Sequence, residues 1–196
     1  MTADVPFDEL LRRLRRADEE AWAEVVGRYG AEVRRVIRSR LGASLRPVVD
    51  SADVWQSVLA SFFVRLNLGQ FDLDTPEQLV TLLTRMARNK VVTQGRKLQA
   101  VRRDARRVEA GSAEMNELAA PGPAPSATVA RRELLQKVRG QLSAEERRLA
   151  DLKSEGYGWQ EIATAVGGAP NALRMQLARA VDRAARQLGL DEVGDV

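Results

Sequence analysis

Apolar residues near the end of the chain recur at helical spacing on both sides of a glycine pair. Those before the pair are Ile162, Ala163 and Val166, and those after it are Leu173, Leu177, Val181, Ala184 and Leu188. Spacings of three and four residues are typical of one buried helix face. Gly167 and Gly168 allow a turn with positive φ, and Pro170 suits the first position of the next helix. The pattern predicts a helix-turn-helix, with Arg174 and Arg179 off the buried face.

The same period predicts four helices in the first half of the chain. We expect them over residues 6–16, from about residue 18 to Gly42, from Asp50 or Ser51 to Leu66, and from Pro76 onward. The third has an apolar face of Val54, Trp55, Val58, Leu59, Phe62 and Leu66. Thr75 and Gln78 form a capping box for the fourth helix, which Gly95 is expected to weaken or end.

Periodicity is lost between about residues 111 and 128. The stretch Pro121–Ser126 contains three prolines and can neither continue a helix nor form a strand. Helical spacing resumes near Val129, and no segment shows useful strand-like alternation. We therefore predict an all-α protein with two small helical domains, residues 5–108 and 129–190, joined by a flexible linker over 109–128.

Composition removes several classes of chemistry. The 196 residues include no cysteine and no histidine, which excludes disulfides, thiol nucleophiles, Ser-His-Asp triads and zinc sites built on these residues. No window of the chain approaches the apolar length that a membrane span needs. No secretory leader is visible, because Asp4, Asp8 and Glu9 occupy the positions where a leader would be basic and then apolar. We expect a cytoplasmic protein that does not use a membrane, a metal or a cofactor.

The net charge of +4 is unevenly distributed. A basic run of Arg96, Lys97, Arg102, Arg103, Arg106 and Arg107 is interrupted by Asp104 and preceded by Arg85, Arg88 and Lys90. Such a run is commonly a solvated helix face, and a helix-turn-helix can be an ordinary helical hairpin. Their occurrence in one chain favours contact with DNA phosphates and a helix in the major groove.

Two blocks of the chain resemble the extracytoplasmic-function (ECF) sigma factors of bacterial RNA polymerase. Residues 49–59 and 82–90 resemble their region 2, and residues 142–147, 159–163 and 173–180 resemble their region 4. The resemblance covers nearly the whole chain, with the Pro-rich segment in the place of the interdomain linker. The spacer between Tyr29 and Asp50 resembles that of a planctomycete-type branch.

The resemblance implies a fold of two helical domains, a region 2 bundle and a region 4 helix-turn-helix, and a non-catalytic role in promoter recognition. It implies core RNA polymerase as a partner, through the β′ coiled coil and the β flap, together with promoter DNA; an anti-sigma factor is a further partner of such proteins. The implied polymerase contacts are Asp50, Asp53, Val54, Gln56 and Ser57. The implied minus-ten contacts are Asn89, Lys90, Arg96, Lys97, Arg102 and Arg103. The implied minus-thirty-five contacts are Pro170, Asn171, Arg174, Gln176 and Arg179.

The chain departs from the family pattern at several positions. Acidic residues usual beside the polymerase-binding Asp and Gln are replaced by Ala52 and Ser57. In the second helix of the motif, Ala172 replaces a usual Thr and Gln176 a usual Arg. Losing one cation should change sequence preference or reduce the salt-dependent part of binding by about one charge.

Two other functions remain open at this stage. An ordinary helix-turn-helix regulator would bind duplex DNA without polymerase, usually as a dimer on a palindrome. An enzyme could use paired carboxylates, such as Asp50 with Asp53 or Asp72 with Asp74. The carboxylates have simpler explanations as helix caps and loop residues.

Overall fold

A computed structural model describes residues 6–42, 45, 48–107 and 127–190, without the side chains of residues 101–107 and 127. These ranges contain eight helices: α1 Phe7–Arg15, α2 Glu19–Arg40, α3 Ser51–Asn67, α4 Pro76–Arg107, α5 Ala127–Gly140, α6 Ala144–Ser154, α7 Trp159–Val166 and α8 Pro170–Gln187. They contain no strand, and the predicted all-α class is confirmed. The predicted linker, residues 109–128, lies almost wholly outside the described residues.

The helices of the first half begin where short polar side chains can satisfy free N–H groups. The carboxylates of Asp18 and Asp50 each accept a hydrogen bond from the first turn that follows, at 2.9 and 2.8 Å. Thr75 accepts from the Gln78 N–H at 3.3 Å. The Gln78 side chain reaches back one residue further than predicted and accepts from the Asp74 N–H at 2.8 Å.

The first four helices enclose an aromatic core. Helices α2, α3 and α4 pack against one another, and α1 covers α2 and α3. The Trp22 ring meets Phe62 and Phe63 edge to face, with centroids 5.9 and 5.7 Å apart. Its indole N–H donates to the Leu14 carbonyl at 3.2 Å, so the one polar atom of the ring is satisfied. The core therefore fixes α3 between its neighbours.

Helix α4 does not end at Gly95 but continues to Arg107. A Cβ atom at Gly95 would lie 3.4 Å from Leu45 Cδ1, an ordinary contact distance, so Leu45 packs beside the helix here without requiring a glycine. A glycine inside a helix costs about 1 kcal/mol relative to alanine. Helix α4 nevertheless continues through this position.

The second half contains a small core formed by α6, α7 and α8. Leu149, Ile162, Leu177 and Val181 are all buried there. Helix α6 starts with the predicted capping box, in which Ser143 and the third helical residue cap each other's N–H groups. This core holds α7 and α8 at a fixed angle.

The two halves of the chain contact each other. Helix α5 packs against α3 as well as α8, and the buried residues of both halves form one continuous cluster. The sequence analysis treated the halves as separate units and did not anticipate this contact. No helix in the described ranges combines the length and apolarity that a membrane span requires.

Candidate nucleic-acid interface

The turn between α7 and α8 has the backbone geometry that its sequence predicts. Gly167 and Gly168 adopt φ values of +81° and +99°, which L-residues with a side chain rarely adopt. The Gly158 N–H donates to the Glu161 carboxylate at 2.7 Å, which caps the start of α7. Pro170 then opens α8. The predicted helix-turn-helix is therefore present.

The first half of α8 presents a polar face to solvent. Asn171, Arg174, Gln176 and Arg179 are exposed, while Pro170 is half-buried. The Arg174 guanidinium donates to the Asn171 amide oxygen at 3.3 Å. This bond orients two hydrogen-bonding groups on the same side of the helix. A face of this kind can donate to and accept from base edges in a major groove.

Met175 lies among these polar residues and is 39 % exposed. The sequence analysis did not single out Met175. Its position between Arg174 and Gln176, away from the buried Leu177, is the signal that could have placed it on the exposed face. A flexible apolar side chain beside guanidinium and amide groups can contact the methyl group of thymine. The face therefore combines polar and apolar means of base discrimination.

A charged clamp fixes α8 against α6. The Arg183 guanidinium donates to both carboxylate oxygens of Glu146, at 3.0 and 2.8 Å, and the Ser143 N–H donates to the same carboxylate at 2.8 Å. Burial alone would raise the pKa of Glu146, but the hydrogen bonds from Ser143 and Arg183 outweigh it and lower that pKa. The carboxylate is therefore held in its charged form, and α8 is tied to the rest of the motif.

A second candidate surface runs along α4. Arg85, Arg88, Asn89, Val92 and Arg96 recur at spacings of three and four residues and so share one face, which we term the α4 stripe. All of them are exposed except Asn89, which is half-buried. Val92 is 48 % exposed in the middle of three arginines. An apolar side chain surrounded by cations can contact an unstacked base while the cations contact phosphates.

Lys90 does not share this face. It is 3 % exposed and lies about a third of a turn from the α4 stripe, close to the buried Thr93. Lys97 is exposed on the Lys90 side of the helix. The structure thus brings Asn89 and Arg96 together and separates Lys90 from them. The side chains of Arg102 and Arg103 lie outside the described residues.

The start of α3 forms a third candidate surface, one for a protein partner. Asp53 and Gln56 are exposed one turn apart, Ser57 is half-buried, and Val54 is 3 % exposed and belongs to the core. Asp50 is exposed and caps the helix. The structure therefore leaves Asp53 and Gln56 free for a partner and gives Val54 a packing role.

An open cleft of about 880 Å³ adjoins this surface. Arg35 and Arg38, from the end of α2, line one side, and Asp50 and Asp53 line the other. The sequence analysis did not single out these arginines. A partner that enters the cleft must carry acidic groups opposite the arginines and basic groups opposite the aspartates. Within the described ranges, no cluster of acidic side chains is arranged to hold a metal ion.

Comparison with known proteins gives one finding that spans both halves. A family model described as "ECF sigma factor" matches residues 5–188. No curated protein and no solved structure matches the chain.

Proposed function

The chain belongs to the ECF sigma factor family, and from this premise we propose that it binds core RNA polymerase and directs it to promoters with a particular pair of DNA elements. Members of this family are regulatory proteins of transcription initiation, with RNA polymerase and promoter DNA as partners. The observation that carries the proposal is the match over residues 5–188, which includes the bundle, the α4 stripe and the helix-turn-helix.

Polymerase binding is assigned to the start of α3. Asp53 and Gln56 project from one side of a helix that is rigidly held by the core, which favours precise docking on the β′ coiled coil. The neighbouring cleft adds Arg35 and Arg38 to the same surface. We expect the C-terminal domain to make the second polymerase contact, on the β flap.

The α4 stripe is assigned to the minus-ten element. Strand separation requires cations for the exposed phosphates and a surface for an unstacked base. Arg85, Arg88 and Arg96 provide the cations, and Asn89 and Val92 lie between them. Lys97 lies off the stripe and is expected to contact only the flanking backbone.

The exposed face of α8 is assigned to the minus-thirty-five element. Arg174 suits a guanine edge and Gln176 an adenine edge, and a good bidentate contact contributes about 1–3 kcal/mol of discrimination. Arg179, a turn and a half further along, suits a phosphate. Met175 adds a contact for a thymine methyl group.

Transcription with purified core polymerase tests the proposal. The full chain is added to core enzyme and genomic fragments, and the transcript starts are mapped. We expect a set of starts that depends on the chain and shares two upstream elements. Absence of specific transcripts, with binding to palindromic duplex as a dimer, would instead identify a stand-alone regulator.

Paired variants assign the surfaces. Asp53→Asn should weaken association with core enzyme, whereas Glu32→Gln, an exposed carboxylate elsewhere on the bundle, should not. Arg174→Ala should reduce promoter binding by the assembled holoenzyme, whereas Arg148→Ala, an exposed arginine on α6, should not. If each variant and its control behave alike, the assigned surfaces are wrong even if transcripts are obtained.

A further inference from the structure

The second half of α3 is buried on more sides than one bundle can cover. Its predicted apolar face accounts for Phe62 and Leu66, yet every residue from Ser61 to Leu66 is at most 8 % exposed. Ser61, Val64, Arg65 and Leu68 recur at spacings of three and four residues on another side of the helix, which we term the second stripe. A helix that is buried all round needs cover on both faces.

Helix α8 and the residues that follow it provide part of this cover. The Ser61 hydroxyl donates to the Leu190 carbonyl at 3.1 Å. The Arg65 guanidinium donates to Asp182 at 2.5 Å and to the Gln70 amide oxygen at 2.8 Å. The Gln70 amide in turn donates to the Ala178 carbonyl at 3.2 Å. Three of these four bonds, to Leu190, Asp182 and Ala178, join residues more than a hundred positions apart in the sequence.

Helix α6 meets the loop after α3. Lys153 pairs with Asp72 at 2.8 Å. Its side chain lies directly over Gly69, where a Cβ atom would come within 2.7 Å of Lys153 Cβ. Gly69 has φ of +69°, so the residue serves both the turn and the close approach. This part of the contact depends on the absence of a side chain.

Helix α5 attaches where α2 begins. The Thr128 hydroxyl donates to Glu19 at 2.8 Å, and the Arg131 guanidinium lies 4.6 Å from the centroid of the Trp22 ring. Three separate contacts, at α5, α6 and α8, therefore hold the C-terminal half on the N-terminal bundle.

Ion pairs and hydrogen bonds accompany the buried apolar residues of this contact. Asp182 and Asp72 retain 44 % and 67 % of their side-chain exposure, so water can reach both pairs. Domain interfaces with this polar character resemble transient protein interfaces and permit relative motion. The contact is therefore suited to opening and closing.

In the docked arrangement the chain is too short to reach both promoter elements at once. The two promoter elements are named for positions about 25 base pairs apart, or roughly 85 Å of duplex at ~3.4 Å per base pair. A compact chain of 196 residues has a radius of gyration of ~16 Å and a diameter of about 42 Å. Residues 108–126 number 19, and a chain of that length extends at most ~65 Å. Only separated domains can reach both elements.

We propose that the free protein rests in a closed form, with its C-terminal domain docked on the second stripe of α3, and that this docking must be released before both promoter elements are held. The consequence for promoters rests on the proposed function, whereas the closed form itself does not. Asp53 and Gln56 remain exposed in the closed form, so polymerase can bind before the domains separate.

Energy transfer between two dyes on the full chain measures the closed form without polymerase or DNA. The chain has no cysteine, so Ala31→Cys on α2 and Ala165→Cys on α7, both at exposed alanines, give two unique labelling sites. We expect a high efficiency of energy transfer in the free protein. The efficiency should fall as the salt concentration rises, because salt screens the exposed ion pairs of Asp182 and Asp72. Low transfer at all salt concentrations would overturn the proposal.

Variants of the ion pairs identify the contact responsible. Asp182→Asn should lower the closed-to-open ratio roughly tenfold, because it leaves the Arg65 guanidinium without its ionic partner. Asp72→Asn should lower the ratio by a smaller factor, whereas Asp74→Asn, an exposed carboxylate in the same loop, should leave it unchanged. Combining Arg65→Asp with Asp182→Arg should restore part of the loss. Equal transfer in all of these folded variants would refute the assigned contact.

The promoter consequence has a separate readout. With core polymerase and a promoter found by transcript mapping, Asp182→Asn should bind promoter several-fold more tightly and bind core polymerase equally well, since less of the protein is held closed. If Asp182→Asn lowers energy transfer as expected but leaves promoter affinity unchanged, the closed form exists but does not limit promoter binding, and that part of the proposal is wrong. Failure of transcription itself would count against the proposed function alone.

Discussion

A matched pair of glycines gives the sharpest test of the domain contact. Gly69 and Gly189 each follow a leucine that ends a helix, and their φ values are +69° and +70°. Each donates its N–H to the carbonyl three residues back, at 3.2 and 3.1 Å, and the next residue bonds the carbonyl five residues back. The two positions thus share one backbone motif, a Schellman turn.

Substitution by alanine should cost the same backbone strain at both positions, roughly 1–2 kcal/mol. Of the two, Gly69 lies beneath another element, because an alanine Cβ there would come within 2.7 Å of Lys153 Cβ. At Gly189, no atom of the described ranges lies within 4 Å of such a Cβ. The backbone fixes the position of the Lys153 Cβ atom, so rotation of the lysine side chain cannot relieve this contact.

The extra cost at Gly69 has an upper limit. Forcing an added methyl group into a packed contact typically costs about 1–3 kcal/mol. If docking of the C-terminal half is weaker than this, the domains separate first, and the extra cost equals the docking free energy. We therefore expect Gly69→Ala to lower the free energy of unfolding by about 1–3 kcal/mol more than Gly189→Ala.

Urea denaturation of both variants, followed by circular dichroism, measures this difference. Energy transfer between the two labelled domains shows whether Gly69→Ala separates them. The reasoning is refuted if both variants lose the same stability, within about 0.5 kcal/mol, and Gly69→Ala keeps wild-type transfer.

Three further predictions concern single surfaces. If Arg174 contacts a phosphate, Arg174→Ala should reduce the slope of log affinity against log salt concentration, measured for holoenzyme on promoter DNA, by up to about one. If Arg174 contacts guanine, the same substitution should relax the preference at one base position. The control Arg148→Ala should have neither effect. Glu146→Gln should cost about 1–2 kcal/mol at pH 7, where the bond to Arg183 is intact. Because the hydrogen bonds from Ser143 and Arg183 lower the pKa of Glu146 in the folded state, the carboxylate contributes stability above the ordinary glutamate pKa of 4.5. This contribution is lost as pH falls through the lowered pKa, so the difference between wild type and variant in urea titrations should shrink at acidic pH. Val92→Ser should leave the melting temperature unchanged and reduce promoter opening several-fold in permanganate footprinting; unchanged opening would remove Val92 from the α4 stripe's function.

Local features were predictable because their causes lie within a few residues. Asp50, Thr75 and Ser143 cap helices as expected, since each needs only N–H groups two or three positions away. The glycine pair and Pro170 place the helix-turn-helix for the same reason. Family resemblance, rather than periodicity, supplied the functional meaning of these elements.

Features that depend on tertiary packing were not predictable. Gly95 does not end α4, and Leu45, fifty positions away, packs beside it. Lys90 belongs to a basic run in the sequence but lies on the buried side of the helix. Arg65 looks like a residue of an exposed face until Asp182 of α8 is seen to pair with it. For Gly95 and Arg65 the packing neighbour is distant in the sequence.

Footprinting of the holoenzyme on a mapped promoter tests the central claim most directly. One copy of the chain per polymerase should protect two unlike duplex segments about 25 base pairs apart, with Arg174→Ala removing only the upstream one. A dimer of the chain that protects a palindrome equally well without polymerase would contradict promoter selection by a polymerase subunit.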